Sequence, residues 1–571
     1  VRALGSLSIS ALVLGVVSLF LEQSELSGAW LGAVTSVVDY AVLFLTLAEV
    51  TVGVLRAPIK RNYVKQNWPS LLFVLLFVVL FIYNKSITAG GGTASGYLTV
   101  LIVRNLFLLL KVFTRLRKLS AFVASVVTHP AQTIVLSFVL VIIIGTLVMM
   151  MPFTTVDGHG LPFVDSLFTT TSAVCVTGLI VVDTATAFTT WGQVVILLLI
   201  QIGGLGIMIL SFFTIFVFRQ SVSVENKLLI SYLLSESNMT TLSTALRRII
   251  AITFAIELSG AALLYPLTQI QSGSGGVFQA LFHAVSAFCN AGFALYSDSL
   301  ERFVGNVGVN LVIGFLIIAG GLSFSVIANS FSFLGARIRR HPRAHRPPPR
   351  LSVNTRVVLI VSATLIVSGS LIIYALEHHR AMAAMPTGIQ YLASFFQSTT
   401  LRTAGFNSIP MGGLAAATYL VMMAMMFVGG ASGSTAGGIK VNTIAVIGAY
   451  LRSKRQGRRE TVLFKHTVRE DQVAAAFTVL VFGVVAVGIA TILLSLTDSF
   501  TLTETLFESV SAFATVGLST GITGSLSTGG RVIIVVMMFI GRVGPLTLFS
   551  AVSAGPRGVS VSFPAADISV G

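Results

Sequence analysis

The chain has 571 residues, of which 55% are hydrophobic and only 10% charged, with a mean hydropathy of +0.93. That composition excludes a soluble globular domain and reads as a polytopic, all-α membrane protein, since apolar runs recur along almost the whole length and a spanning helix needs roughly 20 residues. The formal charge of +16 sits in short loops between apolar runs, which argues against a nucleic-acid partner, and two cysteines supply neither a disulfide framework nor a zinc spacing, so no cofactor is expected in this chain.

In chain order, the first run (7–21) follows Arg2 but lacks a convincing cleavage site and leads straight into further membrane-like sequence, so it reads as a span and not a signal peptide. Residues 1–118 predict four spans, near 7–22, 30–54, 69–84 and 97–114. The fourth carries or precedes Arg104, Lys111, Arg115, Arg117 and Lys118, and the second holds Asp39 and Glu49. These charges are too few and too irregular for a voltage sensor, which leaves a structural or assembly role. Further apolar runs follow at 132–150, 193–218, 307–334, 357–376, 473–495 and 531–553.

The loops alternate in charge. "RAPIKRNYVK" (56–65), "RLRK" (115–118), "RIRRHPRAHRPPPR" (337–350) and "RSKRQGRRE" (452–460) are dense in Lys and Arg, whereas 22–29, 84–96, 151–165, 269–300 and 497–503 are not. The positive-inside rule makes the first set cytoplasmic, with the N-terminus inside a plasma (inner) membrane. The same basic residues are expected to touch anionic membrane lipid, and they are candidate surfaces for a cytoplasmic partner.

An internal similarity organises the rest. "TTTSAVCVTGL" (169–179), "VSAFCNAGFAL" (285–295), "STTLRTAGFNS" (398–408) and "VSAFATVGLST" (510–520) align on Gly178, Gly292, Gly405 and Gly517. A hydroxyl stands six positions earlier in each (Ser172, Ser286, Thr399, Ser511), and a large apolar residue follows each glycine. Every copy is preceded by a long apolar run and a short amphipathic segment (161–173, 276–288, 389–400, 503–513) and followed by another long run. The short segments cannot cross a bilayer, so they enter and return from one side. The predicted organisation is an N-terminal region (1–118), units at 119–220, 246–335, 352–451 and 471–571, and a basic, proline-rich linker at 336–351.

Irregular backbone at membrane depth is tolerated only when buried in protein or lining a water-filled cavity. Four such segments in one orientation can surround an axis, where their carbonyls replace the water shell of a cation and glycine permits the necessary backbone angles. The C-terminal ends of four short helices add negative potential there. One such glycine alone would read as a helix-packing residue; four in matching context do not.

With these motifs, with "GGASGSTAGGIK" (429–440), "GRVGPLTL" (541–548) and the ending "SFPAADISVG", the sequence resembles the Trk/Ktr/HKT superfamily of potassium transporters over about residues 119–571. The resemblance implies four parallel span, pore loop, span repeats, here preceded by about four extra spans. It implies a potassium pathway with a filter at Val176, Thr177 and Gly178, at Asn290, Ala291 and Gly292, at Thr403, Ala404 and Gly405, and at Thr515, Val516 and Gly517. Sodium and rubidium are the competing ions to test. Members with serine in the first loop are associated with sodium passage, and this chain has Gly178. The resemblance also implies a homodimer with one pore per protomer and a cytoplasmic nucleotide-binding ring as regulator, the nucleotide site lying on that partner.

The run 429–438 should break its helix, with Gly429, Gly430, Gly433, Gly437 and Gly438 beside the hydroxyls Ser434 and Thr435. The resemblance reads it as an intramembrane gate. Arg542, deep in the last apolar run, needs acceptors. We expect it to donate to carbonyls of the 429–438 loop, with Lys440 assisting. "GASG" (430–433) has an intramembrane-protease form but no well-placed base, His283 lying on another unit's short helix, and no enzymatic activity is expected. The alternative to a channel-like pore is a sodium- or proton-coupled transporter on the same scaffold.

Overall fold

The computed structural model describes residue 44 and residues 130–206, 242–272, 276–338 and 350–552; apart from that one position, the spans expected within 1–118 lie outside the described residues. The architecture is helical. Along the chain run α1 (Pro130–Met149), α2 (Phe163–Val174), α3 (Thr190–Gly204), α4 (Leu242–Ser272), α5 (Val277–Cys289), α6 (Val307–Gly321), α7 (Phe324–Ile338) and α8 (Val353–Glu377). They are followed by α9 (Thr387–Thr400), α10 (Ala416–Met426), α11 (Val441–Arg455), α12 (Glu470–Thr497), α13 (Leu502–Ala514), α14 (Thr528–Val543) and α15 (Pro545–Val552).

Two features differ from the sequence expectation. The all-α reading misses a small antiparallel hairpin, Thr461–Leu463 paired with His466–Val468, turned by Phe464 and Lys465 at positive φ. The apolar runs 307–334 and 531–553 are not single straight spans, because Val307–Gly321 and Phe324–Gly335 are bent by 106°, and Thr528–Val543 and Pro545–Ala551 by 92°. The second bend follows from chemistry: Gly544 caps α14 with φ 85°, and Pro545 cannot continue the ladder behind it. In the first, "GGLS" breaks the helix and the Ser323 hydroxyl accepts from Val326 N at 3.3 Å to start the next. Among the described residues, Ile249–Gln269, Val353–Glu377 and Glu470–Thr497 are each long and apolar enough to cross a membrane unaided.

The helices that follow the glycine segments start on local caps. Thr189, Asn306 and Ser527 accept from Gly192 N, Val309 N and Gly530 N, each at 3.1 Å, and so open α3, α6 and α14. Ala415, at the start of α10, has no such side chain. There the buried carboxylate of Glu377, at the end of α8, takes the Ala415 N–H at 2.9 Å and the Thr418 hydroxyl. An anion at a helix N-terminus suits the dipole, so a long-range contact replaces the missing cap.

The outer surface differs from that of a water-soluble protein. Leu496 is 77% exposed, and Phe331, Phe315 and Ile492 also face outward, while Thr169, Thr170, Thr171 and Ser172 are buried. Outward apolar side chains suit a hydrocarbon solvent, and the buried hydroxyls gather around the glycine segments. Close packing there depends on glycine: a Cβ on Gly203 of α3 would meet the carbonyl of Val174, one on Gly320 of α6 that of Phe288, and one on Gly541 of α14 that of Phe513. Each acceptor lies four residues before an aligned glycine, so three helices lean on the ends of three short ones in the same way. Gly541→Ala should therefore cost about 1–3 kcal/mol through overpacking. Gly448→Ala, which meets nothing within 4 Å in α11, should gain up to ~1 kcal/mol from helix propensity. Thermal unfolding of the purified protein in detergent checks both.

Candidate functional site

The short helices α2, α5, α9 and α13 end within a few residues of Gly178, Gly292, Gly405 and Gly517. The chain then takes the same path four times. The residue two before each glycine is left-handed, with φ of 56° at Val176, 59° at Asn290, 72° at Thr403 and 52° at Thr515. The glycines are left-handed too, at 92°, 72°, 82° and 92°. A β-branched residue at positive φ is unusual and costs on the order of 1–3 kcal/mol, so three such residues in register are held by their surroundings.

What holds them is a set of hydrogen bonds back into the short helices. Thr177 N donates to Ser172 O at 2.8 Å, Ala291 N to Ser286 O at 2.7 Å, Val516 N to Ser511 O at 2.9 Å and Ala404 N to Thr400 O at 2.9 Å. The hydroxyls six positions before the glycines divide into two uses. Ser172 and Ser511 accept the glycine N–H itself, both at 3.1 Å. Ser286 donates to Phe293 O at 2.7 Å, while Thr399 donates back within its helix to Phe395 O at 2.9 Å. The amides are thus turned inward to the protein, and among the described residues no donor reaches the carbonyls of Thr177, Ala291, Ala404 or Val516.

Those four carbonyls and the four glycines lie together. A Cβ on Gly178 would meet Ala291 O and, at 3.0 Å, the Cα of Gly292; one on Gly292 would meet Ala404 O at 2.8 Å and the Cα of Gly405 at 3.0 Å. One on Gly405 would meet Val516 O at 2.5 Å and the Cα of Gly517 at 3.3 Å, and one on Gly517 would meet Thr177 O and, at 3.0 Å, the Cα of Gly178. The sequence of contacts closes on itself. Each carbonyl occupies the space a side chain would need on the neighbouring glycine, so the four segments form a ring of backbone oxygen with no side-chain acid in it.

The segment 429–438 lies against one side of this ring. Its ends are joined by a bridge between Val428 and Ile439, with Gly429 N donating to Ile439 O at 2.8 Å and Val441 N to Gly430 O at 3.0 Å. Gly433 and Gly438 adopt positive φ, and Ser434 turns its hydroxyl back to Ala431 O at 2.7 Å. The loop touches three of the four residues just inside the ring. Thr435 Oγ1 bonds the Asn290 carboxamide at 3.1 Å and donates to Phe288 O at 3.2 Å. A Cβ on Gly437 would strike the Thr515 side chain, and one on Gly429 would come within 3.2 Å of Thr403 Cγ2.

Three cations from separate stretches bind the loop's carbonyls. Arg542 Nη1 donates to Thr435 O and its Nη2 to Gly203 O at the end of α3. Lys440 Nζ donates to Ala436 O at 2.6 Å, and Arg402 Nη2 to Gly429 O at 3.4 Å. Arg402 was not anticipated as a loop contact; its signal was a basic residue directly ahead of Thr403 in the third glycine segment. Also unanticipated is a buried polar group behind the second segment, where Glu257 accepts from Gln201 Nε2 at 3.1 Å and from Cys289 Sγ at 3.7 Å. Cys289 thereby contacts a carboxylate.

Comparison with known proteins gives a consistent family. The model described as TrkH, cation transport protein, matches residues 100–560. The chain is 37% identical over 436 residues to the Ktr system potassium uptake protein B of Vibrio alginolyticus, an alignment covering 76% of this chain and 93% of that protein. It is 37% identical over 421 residues to the protein of the same description from Bacillus subtilis (strain 168), covering 73% and 92%. The crystal structure of the potassium transporter TrkH from Vibrio parahaemolyticus matches with a TM-score of 0.60 over 85% of this chain and 97% of that one, at 16% identity, a likeness of fold.

Proposed function

The chain belongs to the TrkH cation transport family, whose members are transporters and not enzymes, and from that premise we propose that it takes up potassium through a pore whose selectivity filter is the glycine and carbonyl ring. The observation that carries this reading is the closed order of contacts Gly178, Gly292, Gly405, Gly517, with four unpartnered carbonyls at the same level. Backbone oxygens in a fixed ring can replace the hydration shell of a cation, and the C-terminal ends of α2, α5, α9 and α13 add negative potential behind them. Val176, Asn290, Thr403 and Thr515 form the inner boundary of that filter. The loop 429–438 is the gate, closed here against Asn290, Thr403 and Thr515 and tied by Arg542, Lys440 and Arg402.

The four related units are pore-loop repeats of one multi-pass membrane subunit in the plasma membrane, with the filter opening outward and the N-terminus cytoplasmic. The exposed cations Arg452, Lys454, Arg455, Arg458 and Arg459 give a cytoplasmic nucleotide-binding ring a surface to contact, and the subunit works as a homodimer. Flux of potassium, rubidium and sodium into liposomes tests the reading. Potassium and rubidium should pass well ahead of sodium, with flux rising smoothly with the potassium gradient. Equal passage of all three would overturn the filter, and an absolute requirement for a sodium or proton gradient would favour the coupled transporter.

A further inference from the structure

Resting on the reading of the ring as a filter, we propose that Glu508 and His283 are positioning residues that clamp the chain just beyond two opposite glycines and thereby set how closely the ring fits its ion. Each stands nine residues before its glycine, Glu508 on α13 before Gly517 and His283 on α5 before Gly292. Both are buried. In the ring, Gly292 and Gly517 are not neighbours; Gly178 and Gly405 separate them on either side.

The two clamps use different chemistry on the same stretch of backbone. The Glu508 carboxylate accepts the Ser519 hydroxyl through Oε1 and the Thr523 hydroxyl through both oxygens, at 3.2 and 3.1 Å. Ser519, two residues past Gly517, in turn accepts from Gly521 N at 2.9 Å, and its Oγ lies 2.8 Å from the Thr523 hydroxyl, whose one proton it shares with the carboxylate as alternative acceptors. The exit from the fourth segment is therefore knotted around one buried carboxylate. His283 Nε2 accepts the Leu295 N–H at 3.1 Å, three residues past Gly292, and its Nδ1 donates to Gln279 O at 2.7 Å. Its ring stacks on Tyr296 with centroids 4.7 Å apart, which fixes the plane in which the acceptor points.

The other two short helices carry no clamp at this position, although Asn407, two residues past Gly405, is held from the second unit by Glu301 Oε1 at 2.7 Å and Ser299 Oγ at 3.3 Å. The aligned positions are Thr169 and Phe396, and neither can reach across as a carboxylate or imidazole acceptor does. A buried carboxylate bonded to two hydroxyls resists movement of either, because releasing one leaves a buried acceptor short of a partner. The second and fourth segments are thus the two fixed by a side chain of their own short helix, which makes these clamps the ones through which those helices set the fit of the ring.

The test is the potassium to sodium flux ratio in liposomes. Glu508→Leu should lower the ratio roughly tenfold, the scale of losing a hydrogen bond to a charged group, while Glu508→Gln, which keeps an acceptor and the shape, should retain most of it. Ser519→Ala, which removes the same contact from the loop side, should lower it as well, and so should His283→Leu. Thr169→Val should leave it unchanged. Poor folding reduces all fluxes together and does not move the ratio. A selective parent whose ratio is the same in Glu508→Leu and Ser519→Ala would overturn this inference alone, as would an equal loss in Thr169→Val; a parent that does not discriminate would overturn the filter reading beneath it.

Discussion

Gly178→Ser is expected to abolish most of the discrimination between potassium and sodium while leaving a folded, conducting protein. Two separate penalties meet at this position. The backbone has φ 92°, a conformation that a residue with a Cβ adopts at a cost on the order of 1–3 kcal/mol. The Cβ itself would enter the space held by the Ala291 carbonyl and come within 3.0 Å of the Gly292 Cα. Both are backbone, so neither can swing aside as a flexible side chain would, and the segment after α5 must move. Because the contacts run in a closed ring, displacing Ala291 O also disturbs one of its four oxygens and, on the proposed reading of the ring as a filter, loosens its fit to the ion. The expected loss in the potassium to sodium flux ratio is at least about tenfold, since 1.4 kcal/mol of lost preference suffices for that factor.

A control separates strain from collision. Gly413 has φ 88° but a Cβ there would meet nothing within 4 Å. Gly413→Ser should therefore cost stability by backbone strain alone and leave the ion ratio as it is. If Gly413→Ser changed the ratio as much as Gly178→Ser, the effect would belong to general destabilisation and not to the ring. An unchanged ratio in Gly178→Ser would count against the ring as the selective element.

The second large effect is expected at Arg542. Alanine there should raise basal potassium flux by roughly tenfold or more, because two charge-assisted hydrogen bonds are lost and each is worth about 1.5–3 kcal/mol. The guanidinium spans two elements, holding Thr435 O of the loop against Gly203 O of α3. Its own burial would be costly without these acceptors, so the same bonds that solvate the charge also fix the loop. Arg542→Lys should give an intermediate flux, since an ammonium can serve as a point donor but does not have the planar fork that reaches both carbonyls. Lys440→Met should have a smaller effect of the same sign, removing one tie at Ala436 O. Flux in Arg542→Ala indistinguishable from the parent would mean that the loop is held by packing against Thr403 and Thr515 and not by charge.

The contrast between what could and could not be read from the chain is clearest in particular stretches. The four short helices were expected at 161–173, 276–288, 389–400 and 503–513, and they occupy Phe163–Val174, Val277–Cys289, Thr387–Thr400 and Leu502–Ala514. They were legible because an amphipathic segment too short to span stands before each glycine, a purely local pattern. The break after Met426 was legible for a similar reason, five glycines in ten residues being incompatible with a continued helix. The bend at Gly544 and Pro545 could have been read from the same kind of signal, a Gly-Pro pair, but hydropathy averaged across it hides a sharp turn.

Glu508 and Arg402 illustrate the opposite case. Glu508 shares its short helix with Glu504 and Arg402 stands alone in its segment, and neither charge announces its partners in the sequence. Arg542 was expected at the 429–438 loop, but its second acceptor, Gly203 O, 339 residues away, was not. Such pairings depend on which segments the fold brings side by side.

The amino-acid sequence alone determined the membrane class, the fourfold recurrence, the identity of the four glycines and the position of the helix break, because each follows from composition, period or backbone freedom within a short window. Only the tertiary structure decided that a carbonyl of each segment fills the Cβ space of the next segment's glycine, and that Arg402 joins Arg542 and Lys440 on one loop. The physical reason is that a ring of backbone oxygens is a property of four segments at once. No single segment contains the contact that makes its own glycine indispensable.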